Sequence, residues 1–396
     1  MKRRSSTGRQ PRQPVKGIAE SAVPYRASAK LKRPYLRFAC FEITNFRCFR
    51  SLEIKPMNRV NLITGLNGVG KTTILEALFL HIGHFNPSLA LRVNVWRGFG
   101  TVEDWSGMLW RTLFWQFREA EPIRFVGTDS LGKKRVLSIT VTPSASALPQ
   151  DVPSGMGVEF ARDLGRDLVL EYRDERGTIT KVRGVPEVVR RGSLVEYRLR
   201  AEPPVGKSPV PGIFLNSWRQ GPSEEEVQRF SELRIRNQDE IVLDVLRYME
   251  PRLERLEILS PQGTSMIHGH LKGYDEPVPL SLLGDGVRRV ASLVLAIGWA
   301  RGGILLVDEI ENGIHHSVMK PLWEAIGRAA EMFETQVIAT THSLECISAA
   351  LEAFTLRRSF DLALHRIDRT DGTVRAIGYD RESLEGALSI PLEVRG

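Results

Sequence analysis

Apolar and polar positions change period several times along this chain, and each change predicts an element. RFACFEITNF at 37–46 alternates with period two, as a half-buried strand does. LEIKP at 52–56 and RVNLIT at 59–64 predict two more short strands. In KTTILEALFLHIGHF the period lengthens: Ile74, Ala77, Leu78 and Ile82 recur at helical spacing. From Arg92 to about Tyr197 the strand period returns in PIRFVG, KRVLSITVT, DLVLEYRD and TITKVRG, with DSLGKK and DERG as turns. An aromatic-rich piece before them (Trp105, Trp110, Phe114, Trp115, Phe117) is expected to pack in a core. Residues 223–250 predict one or two amphipathic helices closed by Pro251, and LERLEILS resumes as a strand.

Beyond residue 280 helices and strands alternate. They are helix 286–300, strand GILLVDE, helix 317–331, strand QVIATT, helix 343–352 and strand DLALHRID. That alternation is typical of a doubly wound α/β sheet. There is no internal repeat, and no heptad pattern long enough for an extended coiled coil.

The chain has 396 residues, 42% of them hydrophobic, which suffices for one large core or two joined lobes. Its longest apolar run, Val290 to Ala300, is too short to span a bilayer, and no apolar run follows the basic N-terminus. The expectation is a cytoplasmic protein with no membrane partner. Three cysteines, Cys40, Cys48 and Cys346, form no metal pattern and are expected to be reduced and buried. The net charge of +8 is unevenly spread. Residues 1–37 hold eleven Lys or Arg and one acid, a net of +10, so the remainder carries −2. The tail 1–36 has no hydrophobic period and is expected to be disordered. It is either an arm for DNA or RNA phosphates or a solvated extension.

Four motifs carry chemistry. Gly65-Leu66-Asn67-Gly68-Val69-Gly70-Lys71-Thr72 fits G-x-x-x-x-G-K-[ST], entered by a strand and left by a helix. Glycines let backbone N–H groups from Asn67 to Thr73 turn around phosphate oxygens, and the helix N-terminus adds its dipole. Lys71 supplies a point charge and Thr72 a hydroxyl for Mg²⁺. In GILLVDE, Asp308 ends a buried strand where open α/β sheets place ligands, and it suits the same metal. Glu309, next along, can polarise the attacking water. His342, after the strand QVIATT, can reach a γ-phosphate. Gly284, Asp285 and Gly286, before a long apolar helix, form a second anion seat or a plain turn with a cap.

The order of these motifs resembles the ABC-type ATPases. The 237 positions between Lys71 and Asp308 resemble heads of the structural-maintenance-of-chromosomes (SMC) class. ITNFRCF (43–49), TGLNGVGKTTILEAL (64–78), LGDGVRR (283–289), LLVDEIENGIHHS (305–317) and TTHSLECI (340–347) resemble most the overcoming-lysogenisation-defect (OLD) type and the related AAA15/AAA21 ATPases. The resemblance implies an α/β P-loop NTPase of ABC/SMC-head type, with a mixed β-sheet and flanking helices. It would comprise a phosphate-loop and β-rich lobe at 37–200, a short helical insertion at 201–279 and a second lobe at 280–396.

It also implies ATP and Mg²⁺ as ligands. Gly284 to Val287 would be a signature motif on ATP held by a second subunit, in a head-to-tail dimer, with Glu311 to His315 as the D-loop. Gln116 would be the Q-loop glutamine by position. Arg47 is either a nucleotide contact or a surface arginine. The sequence departs from the family at Gly284, where a serine is usual, so slow hydrolysis is expected. It also lacks the coiled-coil arm and the Toprim nuclease domain. The resemblance implies an ATPase controlling a separate effector such as a nuclease, in anti-phage defence. A DNA-repair clamp on double-stranded DNA and a slow-turnover scaffold are the alternatives.

Overall fold

The computed structural model describes residues 35–98, 108–144, 163–191, 194–206, 210–216, 223–357 and 359–389. Residues 1–34 of the expected tail and Trp105 lie outside them, while Tyr35 and Leu36, expected in the tail, hydrogen-bond to Asp129 and Ser130. Tyr35–Gly396 forms one compact unit. In chain order it holds β1 (Cys40–Phe46), β2 (Phe49–Ile54), β3 (Val60–Gly65), α1 (Lys71–Ile82), α2 (Ser88–Val95), β4 (Ile123–Thr128), β5 (Lys134–Pro143), β6 (Arg166–Arg173), β7 (Ile179–Arg191), β8 (Leu194–Glu202) and β9 (Gly212–Leu215). Then follow α3 (Ser223–Ile235), α4 (Glu240–Arg247), β10 (Leu253–Leu259), β11 (Met266–Leu271), β12 (Val278–Pro279), α5 (Asp285–Trp299), β13 (Ile304–Val307), α6 (Met319–Met332), β14 (Gln336–Thr340), α7 (Leu344–Thr355), β15 (Leu362–Thr370), β16 (Thr373–Tyr379) and α8 (Arg381–Ser389).

The central sheet runs β16-β15-β3-β14-β13-β9 and is parallel except for β16. Its inner strands β3, β14 and β13 are buried on both faces, which is why β13 is a continuous apolar run. The period of two sorts their side chains between two cores. Val60, Leu62, Leu305, Val307, Val337 and Ala339 enter a core built with α5, α6 and α7. Ile63, Ile304, Leu306 and Ile338 enter another, shared with α1 and with an antiparallel sheet ordered β2-β1-β4-β5-β6-β7-β8. The sheet is therefore not doubly wound in the expected sense. Helices from the second half cover one face, while α1 and a second sheet cover the other. Gln336 ties the two sheets: its side chain accepts from Phe38 N (3.0 Å) and donates to Phe38 O (2.7 Å).

Two expectations are corrected here. The stretch 201–279 is not only helical, because it also carries the edge strand β9 and the sheet β10-β11-β12. Only Cys346 is buried, while Cys40 and Cys48 are half-buried. No helix among the described residues is long and apolar enough to cross a membrane.

Candidate active site

β3, β14, β13 and β9 are parallel neighbours, so their carboxyl ends meet at one edge of the sheet. After β3 the chain turns at Gly65 (φ 143°), where an added Cβ would lie 2.5 Å from Ile367 O. The loop reaches α1 through Gly70 (φ 107°), whose added Cβ would lie 2.4 Å from the Phe49 ring. A side chain at either position is excluded both by backbone conformation and by space. Lys71 Nζ donates to Gly65 O (2.7 Å) and Leu66 O (3.1 Å), folding back over the loop it follows. Burial lowers the Lys71 pKa, and the Asp308 carboxylate opposes that shift.

Asp308 follows β13 and is 3% exposed. Its carboxylate oxygens lie 3.1 and 3.0 Å from Thr72 Oγ1. Thr340 Oγ1 donates to Asp308 Oδ1 (2.7 Å) and itself accepts from Glu309 N (2.8 Å). Burial raises the Asp308 pKa, against the hydrogen bonds from Thr340 and Thr72. Paired hydroxyl and carboxylate oxygens beside an anion-binding loop are a donor set for a hard divalent cation.

Glu309 adopts a left-handed backbone (φ 50°), rare for a residue with a side chain and common at functional sites. Its carboxylate is held from two sides. Oε1 lies 3.2 Å from His342 Nε2, and Oε2 accepts from Asn312 Nδ2 (2.6 Å). His342 N donates in turn to Glu311 Oε1 (2.8 Å). The first residues of the expected D-loop thus brace Glu309 and His342 within the same chain.

Asn67, Gly68, Gly70, Lys71, Thr72, Thr73, Asp308, Glu309 and His342 all line one cavity of about 820 Å³. Val69 turns its side chain into the core below the loop. Gly284, Asp285 and Gly286 sit at the N-terminus of α5, outside the cavity's lining, with Gly284 and Asp285 exposed. Gln116 lines the cavity. Arg47 also lines it and is no free surface arginine. Its Nε lies 2.7 Å from Glu76 Oε2, and Nη2 donates to Asn94 Oδ1 (3.0 Å).

The sequence reading missed three participants. Glu76, 1% exposed, also takes Arg97 Nε (2.8 Å), and Arg97 Nη2 donates to Thr73 Oγ1 (3.1 Å). Glu76 stands in the quoted stretch 64–78 without a role of its own there, and Arg97 belongs to no motif. Thr340 stands in a quoted motif, and its position at a strand end is the signal for a role there. β9 is the fourth parallel strand at this edge, with Leu215 O accepting from Asp308 N (2.9 Å).

Two family models match the motif-bearing stretches of this cavity, while its lining from Arg97 to Phe117 lies in neither. One, described as an AAA domain, matches residues 41–92 and so spans the phosphate loop. The other matches residues 195–348, from before β9 to beyond His342. Its description is an AAA domain, and it proposes an AbiEii toxin of a Type IV toxin–antitoxin system. Both matched stretches are AAA-domain-like, as a nucleotide-hydrolysing ATPase requires. The chain is 24% identical over 327 residues to a Helicobacter pylori protein called "ATP/GTP phosphatase", covering 77% of this chain and 85% of that one. Among solved structures, an SMC head bound to the C-terminal winged-helix domain of ScpA has a TM-score of 0.48 and 14% identity, with 89% of this chain and 100% of that chain covered. The SMC head domain from Thermotoga maritima has a TM-score of 0.40 and 16% identity, with 87% and 100% covered.

Proposed function

We propose that this ATPase hydrolyses ATP with Mg²⁺ at the edge where β3, β13 and β14 end, and that an ATP-sandwiched dimer uses the cycle to control a separate effector. The carrying observation is one connected cluster: Thr72, Asp308 and Thr340 share hydrogen bonds, and Glu309 and His342 share another contact beside them. Lys71 exchanges its two loop carbonyls for β- and γ-phosphate oxygens, with backbone N–H groups from Asn67 to Thr73 cradling the rest. Thr72 and Asp308 would hold Mg²⁺, which would supply charge neutralisation on the phosphates. Glu309 accepts the proton of the attacking water, and His342 keeps its carboxylate aimed while contacting the γ-phosphate side.

The dimer is supported by the position of Gly284 to Gly286. Gly284 and Asp285 are exposed and Gly286 half-buried, all outside their own chain's cavity, at the N-terminus of a 15-residue helix. Gly284 brings no hydroxyl, so backbone N–H groups serve the partner's phosphate. The toxin–antitoxin description of one matching model supports work with a second gene product, a nuclease being our candidate in anti-phage defence. The basic tail suits contact with nucleic-acid phosphates.

Mixing two inactive variants tests the sandwich. Lys71→Ala lacks its own phosphate site but keeps the signature, and Gly286→Trp does the reverse. Together they regain a fraction of wild-type ATPase through one composite site. No regain, in subunits shown to exchange, contradicts the sandwich.

A further inference from the structure

β9 is the last strand of the parallel sheet, with β13 on one side and no described strand on the other. Ile304 N donates to Pro211 O (3.0 Å) and Asp308 N to Leu215 O (2.9 Å). Backbone groups alternate along a strand, so Ile213 also faces β13, while the N–H and C=O of Gly212 and Phe214 point the other way. Those four groups are left to water or to a partner.

A second cavity, of about 360 Å³, is lined by all four residues of β9 and by Asn216. Successive side chains of a strand point to opposite faces, so a cavity on one face would touch only alternate residues. Contact with every residue, with β13 on the far side, puts this cavity beyond the free edge. On one face of the sheet its wall is aromatic: the Trp96 ring lies 4.8 Å from Phe214 and 5.4 Å from Phe79. On the other face stand Trp299 of α5 and Gln228 and Arg229 of α3. A bare strand edge is ordinarily a hazard, because it pairs with any extended chain. This one is four residues long and walled by helices, so only a segment that fits the walls reaches it.

Charge selects the segment. Arg92 of α2 lines the groove, is exposed, and has no ion pair among the described residues. Arg229 is buried, with Nη2 2.7 Å from Glu225 Oε2. Two arginines against one glutamate leave the lining positive, the wrong sign for the chain's own basic tail. We infer that the β9 edge is a docking groove for an extended acidic segment of a separate protein, which adds a strand to the sheet and sets a carboxylate on Arg92. The inference goes beyond the proposed function, since the groove and its charge are read without reference to nucleotide or effector. Because Leu215 O holds Asp308 N, a docked segment stiffens the strand beside Asp308.

The test begins with residue-resolved hydrogen exchange on the full chain alone. The amides of Gly212 and Phe214 are expected to exchange far faster than those of Ile213 and Leu215, which face β13. Equal protection of all four overturns the inference, because the chain itself then covers the edge. Protection that grows with protein concentration also overturns it, in favour of a second copy. Random peptides displayed on phage are then selected on the full chain. Acidic peptides are expected, and at about 100 times their Kd they slow Gly212 and Phe214 exchange by about 100-fold. Arg92→Glu weakens them by about ten-fold or more, and replacing the peptide's glutamates by lysines restores binding to that variant. Unchanged exchange at Ile213 and Leu215 shows that the variant is folded. Recovery of no peptide that slows those two amides, or binding unaltered by Arg92→Glu, overturns the acidic segment.

Discussion

The two large sheets of this ATPase share α1 between them, yet their edges differ in what they can do. The parallel sheet aims the ends of β3, β9, β13 and β14 the same way, so Thr72, Asp308, Glu309, Thr340 and His342 converge without any long excursion of the chain. Strands of the antiparallel sheet reverse at every step and have no such edge. Its part is a turn at Asn45 and Arg47 and a tethered segment at 111–118. Charged chemistry gathers where strand ends converge, and support comes from the sheet behind.

Gly70→Ala strikes the seam between these regions and has the largest expected effect. Its Cβ would lie 2.4 Å from the Phe49 ring and 2.7 Å from Cys48 Sγ, at a φ of 107°. A stability loss of about 2–4 kcal/mol is expected from strain and overpacking together. ATP binding should be lost with it. Denaturant midpoints and ATP titration measure both, and retained binding would mean that the antiparallel sheet yields freely and does not fix the loop.

Thr340→Val acts within the parallel edge alone. It removes a donor from the buried Asp308 and the acceptor of Glu309 N–H. A loss of about 1–3 kcal/mol is expected for buried groups left unsatisfied. A change of only a few tenths would show that the relay from Glu309 to Asp308 is not under load.

His365 sharpens the comparison from the opposite end of the polarity scale. It is buried on β15, has no hydrogen-bond partner on either ring nitrogen, and burial pushes its pKa down to about 4. Burial likewise takes His84 down to about 4 and His81 to about 3. As pH falls below the ordinary histidine value of about 6.5, the unfolded chain takes up protons that the folded chain refuses. Stability is therefore full above about pH 6.5 and declines toward pH 4 as the unfolded state is favoured. His365→Leu should flatten part of that decline and add about 1 kcal/mol at neutral pH, since an unsatisfied buried polar ring is replaced by an apolar one. Urea unfolding at pH 7.5 and pH 5 reads both effects, and an unaltered difference between the two pH values would remove His365 from the acid limb.

Much of the central sheet was legible because its strands and helices change period sharply and each strand runs into a motif. NLIT, ILLV and QVIAT are apolar runs that stop at Gly65, Asp308 and Thr341. β9 was missed because GIFL is four residues long between turn-formers, too short to establish a period. Glu76 and Arg97 were missed because their pairing with Arg47 and Thr73 depends on how α1 and α2 pack against the β1–β2 turn, which no local pattern encodes. The aromatic piece was expected to pack, and Trp110 and Phe114 do. Phe117 does not, because two left-handed residues redirect the chain at a point where sequence periodicity assumes a regular backbone.

The most direct test of the central claim, that the parallel edge is the hydrolytic centre, is steady-state ATPase of Glu309→Gln alongside its ATP affinity. The substitution keeps the shape of a side chain held between His342 and Asn312 but removes its charge and its capacity to take a proton. The account predicts kcat lower by about 100-fold or more with ATP affinity nearly unchanged, in the range by which general-base catalysis contributes. A kcat equal to wild type would contradict it and move the proton acceptor away from Glu309.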